Sequence, residues 1–386
     1  MDFGFSEDEI RFRDDVRAFV EREWGPADPV AGRDKSDEER TRVFRAKVAD
    51  KGWFAMGWPE EYGGVAVSPM EKYILSREMQ RVGAPFPLYN ANVLGPLILK
   101  YGTVETKAEM LPKMRRGDLE FVLGFTEPET GSDLANLSTR AVRSGDGYIV
   151  NGQKLYGNPK PGEIMFLAAR TDPDAPVRRG ISVLLIDTTS EGFSKTENPT
   201  LSGSHVGATY YDDVFVPRAR LLGEENKGWD YVRESLDLDR LGGIPYAHFS
   251  TIFGMIIDYA KTTVGSDGRP LSDQAWVQER LAELDIEIEA AQLIQDMTAS
   301  KVAAGEKLRI EASIVKIFCT ELESRIAAFG SELIGTLAPL RGEDVHPLVD
   351  ALSFLTRLNV AMTIVGGTNE IQRNVIALQG LGLPRS

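Results

Sequence analysis

The chain of 386 residues contains one cysteine, Cys319, and three scattered histidines, His205, His248 and His346. Neither a disulfide framework nor a Cys/His metal cluster can be assembled from that inventory, and Cys319, set in an apolar helical run, reads as core. Positive charge is short as well. With 44 Lys and Arg against 58 Asp and Glu the net charge is -14, and no segment concentrates the cations that a phosphate backbone requires, which argues against a nucleic-acid partner. The acid surplus serves mainly solubility. No apolar run approaches the length of a membrane span, and Met1-Asp2-Phe3-Gly4-Phe5-Ser6-Glu7-Asp8 has acids where a secretory leader carries bases, so the expected location is cytoplasmic with no membrane partner. G-x-S-x-G, G-x-G-x-x-G and Walker patterns are missing too, and serine-hydrolase, Rossmann and P-loop readings lose their support. Any redox cofactor has to be held another way.

What is present is a globular composition, 42% apolar, long enough for two or three domains. Ser6-Glu7-Asp8-Glu9 is a capping box that opens a helix with Phe12, Val16, Phe19 and Val20 on one face. Ser68-Pro69-Met70-Glu71 opens another, with proline at the first helical position. Between them Gly57-Trp58-Pro59-Glu60-Glu61-Tyr62-Gly63-Gly64 is a rigid turn. From Leu119 the pattern changes to short β-branched runs at 121–125, 148–150, 164–169, 181–187 and 208–216. Helical periodicity then returns: Leu281, Leu284, Ile288 and Ala291 step by three and four, as do Ile310, Ile314 and Ile317, and Leu348, Leu352 and Leu355. With the stretch 229–260 these make the four helices of an antiparallel bundle. The expected fold is therefore mainly α with a central β domain: an N-terminal α-helical domain (1–118), a middle β barrel or sandwich (119–225) and a C-terminal four-helix bundle (226–386).

Three segments carry candidate chemistry. Thr126-Glu127-Pro128-Glu129-Thr130-Gly131-Ser132-Asp133 follows a strand and gathers hydroxyls and backbone N–H groups that can converge on an anion; the plain alternative is a strand-end turn. Asn151-Gly152-Gln153-Lys154-Leu155-Tyr156-Gly157-Asn158 places an aromatic and an amide at a strand end, where Tyr156 could equally be a cross-strand packing residue. Val365-Gly366-Gly367-Thr368-Asn369-Glu370-Ile371-Gln372-Arg373 begins a last helix, with Asn369 and Gln372 at capping-box spacing and Glu370 as a first-turn acid.

Together, the 126–133 and 365–373 strings resemble the flavin-dependent acyl-CoA dehydrogenases, and the helix, strand, helix order extends the resemblance over nearly the whole chain. It implies FAD as cofactor, an acyl-CoA thioester as substrate, and oxidation to the 2,3-enoyl thioester with an electron-transfer flavoprotein or similar acceptor. It also implies that Thr126, Ser132, Tyr156, Asn158, Thr368 and Glu370 line the flavin. Asn158 stands where the family has a threonine that bonds the ring's reactive nitrogen; its amide can donate such a bond. Gly366 occupies the position of the usual catalytic glutamate: it keeps the backbone N–H that meets the thioester carbonyl, beside Gly367, and lacks the carboxylate. A minority of the family carries the base in a run like Leu236-Asp237-Leu238-Asp239-Arg240-Leu241. Asp239 stands at that alternative glutamate, and Arg240 matches an arginine at the CoA end. At helical spacing Asp237 has Arg233 and Arg240 as salt-bridge partners, whereas Asp239 has only Ser235, Leu236, Gly242 and Gly243, so Asp239 is the base candidate against a reading as a structural acid.

The chain departs from the family in its trans elements. An Arg-x-x-Phe-Gly run that reaches a neighbouring subunit's FAD is replaced by Tyr259-Ala260-Lys261-Thr262-Thr263-Val264-Gly265-Ser266-Asp267-Gly268-Arg269-Pro270-Leu271, and a Gln followed by paired glycines is reduced to Glu332-Leu333-Ile334-Gly335-Thr336. The resemblance is to the heteromeric acyl-CoA dehydrogenase subunits of bacterial steroid side-chain degradation, implying an oligomer with a homologous subunit and a steroid side-chain or branched acyl-CoA. Two alternatives stay open: a catalytically silent flavin- or CoA-binding subunit, and a flavin oxidase or monooxygenase on the same fold.

Overall fold

Helices α1 (Glu7–Glu23) and α3 (Pro69–Arg81) begin as the spacing predicts, with α2 (Glu38–Asp50) between them. In each, the serine Oγ of Ser6 or Ser68 accepts from the N–H three residues on, and Glu9 or Glu71 accepts the serine's own N–H. α1 buries Val16, Phe19 and Val20. The structure, a computed structural model, describes residues 4–25, 38–86, 89–242, 246–341 and 345–384, and the side chains of 237, 239–242 and 246–248 lie outside it. By internal packing the chain forms two units, one of residues 1–44, 67–86 and 240–386, the other of residues 45–66 and 87–239.

The second unit is built on one sheet of eight strands: β1 (Phe121–Gly124), β2 (Arg140–Ser144), β3 (Gly147–Leu155), β4 (Ile164–Arg170), β5 (Ile181–Asp187), β6 (Phe193–Pro199), β7 (His205–Pro217) and β8 (Leu221–Leu222). Their order is β6-β7-β3-β2-β4-β5-β8, with β1 beside β4. β4 and β5 are buried on both faces, which is what an unbroken apolar run requires. Phe166, Ala168, Val183 and Leu185 point to one core with Leu97 and Ile98 of α4 (Gly95–Tyr101) and Leu111 of α5 (Val104–Arg116). Their neighbours Met165, Leu167, Leu184 and Ile186 point to the other, with Tyr148, Val150, Tyr211 and Val214. β2 and β6 were not among the expected strands: Arg-Ala-Val-Arg-Ser and Phe-Ser-Lys-Thr-Glu-Asn-Pro bury little, and their pairing to β3 and β7 holds them extended.

The stretch 229–260, expected as one helix, is two: α6 (Gly228–Gly242) and α7 (Tyr246–Thr262). Tyr231 and Val232 of α6 pack into the β unit's core. The first unit's largest core is instead formed by α7 with α8 (Ala275–Ala303), α9 (Glu311–Ile334) and α10 (Pro347–Met362), through Phe253, Ile256, Leu284, Ile288, Cys319, Leu322, Leu352 and Leu355. On α9 the expected stripe Ile310, Ile314, Ile317 is only half-buried. The buried residues include Val315, Cys319, Leu322 and Ile326, Glu323 beside them, and a polar seam of Ser313, Lys316 and Thr320. No helix of the described residues is long and apolar enough to cross a membrane.

Candidate active site

The 126–133 loop is fixed to β3 from beneath. Lys154, buried on β3, donates from Nζ to Phe125 O at 3.0 Å and to Glu127 Oε1 at 2.8 Å. Glu127 also accepts from Ser138 N at 2.6 Å, Ser138 Oγ at 2.7 Å and Thr139 N at 2.9 Å. Burial alone would raise this carboxyl, but the charge and hydrogen bond of Lys154 and the two N–H donors outweigh it and bring the pKa down to about 2. Burial lowers the Lys154 ammonium from its ordinary value to about 8, against the pull of Glu127.

That anchor brings three of the expected flavin residues to one corner. Leu155 N donates to Thr126 O at 2.8 Å, so Thr126 lies beside the end of β3, where Tyr156 and Asn158 follow. Tyr156 sits in the left-handed region, φ 69°, and the residue is 66% exposed. Asn158 is half-buried and its Oδ1 accepts from Lys195 Nζ at 2.8 Å. Thr126 is half-buried and Ser132 exposed. Sequence reasoning missed Glu127, Lys154 and Lys195 as parts of this site. No local string marks the two lysines: Lys154 stands between Gln153 and Leu155, and Lys195 between Ser194 and Thr196.

In the first unit, the C-terminal segment hangs on the polar seam of α9. Lys316 Nζ donates to Thr363 O at 2.8 Å and Asn369 Oδ1 at 2.6 Å. Ser313 Oγ donates to Gln372 Oε1 at 2.7 Å, and Gln372 Nε2 reaches Gly366 O at 3.2 Å and Gly367 O at 3.3 Å. Both glycines have positive φ, 70° and 89°, a conformation that favours residues without Cβ. The expected cap at Asn369 is corrected: α11 (Asn369–Val375) is capped by Thr368, whose Oγ1 accepts from Ile371 N at 3.2 Å, because the Asn369 amide is engaged with Lys316 and Thr320. Glu370 is exposed in the first turn, and its carboxyl is lowered by its own backbone N–H and then by the Thr368 hydroxyl.

α6 is set against the β unit by its first two turns. Gly228 abuts β5 so closely that a Cβ would stand 2.6 Å from the Ser182 carbonyl carbon. The Tyr101 and Tyr231 rings lie 4.2 Å apart, and Glu234 accepts from Lys100 Nζ at 2.8 Å and Tyr101 OH at 2.7 Å. Asp239 and Arg240 fall on the last turns of this helix; their side chains are outside the described residues.

The donor set suits a flavin nucleotide. Among the described residues the Thr126 and Ser132 hydroxyls make no hydrogen bond within the chain, the Tyr156 ring is presented to solvent at a cost in backbone strain, and Asn158 has its amide nitrogen unengaged. Among the same residues no group of three or more His, Cys, Asp or Glu could hold a metal ion.

Comparison with known proteins accords with this arrangement. Residues 6–118 match the acyl-CoA dehydrogenase N-terminal domain, 122–214 its middle domain and 226–381 its C-terminal domain. The chain is 40% identical over 355 residues to acyl-CoA dehydrogenase FadE26 of Mycobacterium tuberculosis, covering 89% of each chain. It is 36% identical over 364 residues to FadE29 of the same organism, covering 91% of this chain and 93% of that one. Among solved structures, a chain of the ChsE4-ChsE5 complex from Mycobacterium tuberculosis superposes with TM-score 0.89 at 36% identity, and a chain of the Tcur3481-Tcur3483 steroid ACAD with TM-score 0.89 at 34%, each covering 100% of both chains. The chain thus belongs to the acyl-CoA dehydrogenase family, whose flavoprotein oxidoreductases imply FAD as its cofactor.

Proposed function

We propose that this chain dehydrogenates an acyl-CoA at Cα–Cβ with Asp239 as the base. The observation that carries the reading is Gly366. Its loop is kept in place, both glycine carbonyls bonded by Gln372, at the position where most of the family has a catalytic glutamate, yet the carboxylate itself is missing. A weakly acidic α-proton cannot be removed efficiently without a positioned base, and α6, anchored through Tyr231 and Glu234, carries the acid that stands at the family's alternative position. Bound FAD supplies the hydride acceptor. Thr126, Ser132, Tyr156, Asn158, Thr368 and Glu370 hold the flavin, the Gly366 N–H with Gly367 receives the thioester carbonyl, and Arg240 meets the CoA end.

The substrate we infer is a steroid side-chain or branched acyl-CoA, handled with a homologous partner subunit and an electron-transfer flavoprotein. Support comes from relatives: the similar structures are a ChsE4-ChsE5 complex and a Tcur3481-Tcur3483 steroid ACAD. The exposed Asp267-Gly268-Arg269 turn, closed by an Arg269–Asp267 pair at 2.9 Å, replaces a trans flavin element. The three-part plan of 1–118, 119–225 and 226–386 belongs to the same proposal.

The second reading, a silent subunit, is favoured by the missing carboxylate at Gly366. Asp239→Asn in the flavin-loaded protein, mixed anaerobically with a steroid side-chain acyl-CoA, separates them. Flavin reduction should slow by about 10²–10⁴-fold if Asp239 is the base and be unchanged if the partner supplies it.

A further inference from the structure

Asn158 is the one expected flavin contact whose residue type differs from the family's, and the structure shows what accompanies it. Lys195, on β6, donates from Nζ to Asn158 Oδ1 at 2.8 Å and to Glu197 Oε1 at 2.8 Å. Lys195 lies opposite Thr209 on β7, and Thr209 lies opposite Lys154 on β3. Residues opposite one another in neighbouring strands share a face of the sheet. One cross-strand row therefore carries two lysines: Lys154 pins the Thr126 loop through Glu127, and Lys195 pins the amide just beyond Tyr156.

We propose that Lys195 is a positioning residue that makes Asn158 a donor-only contact to the flavin ring; the proposal rests on the reading of Asn158 as a flavin contact. An ammonium has three donors and no acceptor, so the amide atom beside it must be the carbonyl oxygen. The Nδ2 end is thereby left for a ligand. A free asparagine can present either end with little preference, and a threonine hydroxyl can donate or accept. The pinned amide can only donate, which matches an acceptor nitrogen of the oxidised ring. The charge on Lys195 also polarises the amide and strengthens the donor. Glu197 holds the ammonium from the strand side, and the Glu163 carboxyl is raised, by burial above all, with the Lys195 charge among those that oppose the rise. The side chain is 26% exposed, so it is anchored rather than entombed, and its replacement should be tolerated by the fold.

The test is titration of the apoprotein, co-expressed with its partner where required, with oxidised FAD. Binding is read by flavin fluorescence, the ring's environment by its visible bands, and the fold by urea denaturation. Lys195→Met should weaken FAD binding about ten-fold, the loss of one charge-assisted hydrogen bond, and shift the bands, with the urea midpoint unchanged. Lys195→Arg, which restores a donor-only cation, should recover most of the affinity. Asn158→Asp keeps the Lys195 contact but faces the ring with an acceptor, and should weaken FAD at least as much as Lys195→Met. The inference is overturned if Lys195→Met binds FAD with unshifted bands and parental affinity while Asn158→Ala does not, for then Asn158 acts without it. If Asn158→Ala is also silent, the reading of Asn158 as a flavin contact fails first. Should Lys195→Met not fold, parental binding by Asn158→Asp overturns the donor role.

Discussion

Lys154 and Glu127 form an ion pair from which solvent is withdrawn on both sides, Nζ to Oε1 at 2.8 Å with side-chain exposures of 0% and 3%. Removing one partner leaves an uncompensated buried charge, so Lys154→Met should cost about 3–5 kcal/mol in urea denaturation, and Lys154→Met/Glu127→Leu less than either single change. The pH dependence follows from the carboxyl. Its folded pKa of about 2 lies below the unfolded value of about 4.3, so its contribution is complete above that value and disappears as pH falls through about 2. An acid-unfolding midpoint that Glu127→Gln leaves in place would contradict this.

Tyr156 couples strain to exposure. Its left-handed backbone costs about 1–2 kcal/mol, and a residue that is 66% exposed recovers little of this within the chain. Tyr156→Gly relieves the strain at an entropic cost of about 1 kcal/mol, so thermal unfolding should barely move. FAD affinity should fall about ten-fold, the loss of one aromatic contact. Equal losses of stability and affinity would instead make Tyr156 a packing residue.

How much of this was legible beforehand depends on where the information sits. Capping serines Ser6 and Ser68 announce their helices because the cap is a contact across three residues. The apolar runs of β4 and β5 declare a buried sheet by composition alone. β2 and β6 do not, since a polar strand is extended by its neighbours rather than by its own residues. The same holds at the site. Thr126 and Tyr156 could be named from local strings, whereas Lys195 lies 37 positions from Asn158 and meets it only through sheet register. On α9 a hydrophobic count picked Ile314 and Ile317, because nothing in a periodicity marks Ser313, Lys316 and Thr320 as inward-facing. Their partners arrive from α11 and the turn before it.

Gly366 is conformationally fixed as well as chemically bare. At φ 70°, a Cβ costs about 1–2 kcal/mol, so Gly366→Ala should lower the urea midpoint and weaken acyl-CoA binding while FAD binding through the β unit persists. Gln372→Leu removes the donor shared by the Gly366 and Gly367 carbonyls and leaves Ser313 without its acceptor, a change of about 1–3 kcal/mol. Amide hydrogen exchange should show faster opening around 366–372 in that variant; protection equal to the parent would mean the loop is held by other contacts.

Glu323 gives the bundle a pH dependence of opposite sign to that of Glu127. It is buried on α9 one turn beyond Cys319, and burial pushes its carboxyl up to about 7. The unfolded chain releases this proton near 4.3. Between the two values the folded state binds more protons than the unfolded one, so stability falls as pH rises from about 4.3 to about 7 and then levels. Glu323→Gln keeps the shape without the titration. It should flatten that part of the profile and be more stable than the parent at pH 8 by on the order of 1–3 kcal/mol, with parent and variant converging near pH 4. Cys319, whose thiol burial raises to about 12, should stay unreactive toward maleimide in both folded proteins and label only on unfolding. Parallel stability profiles for parent and variant from pH 4 to 8 would show that Glu323 is already ionised in the folded chain.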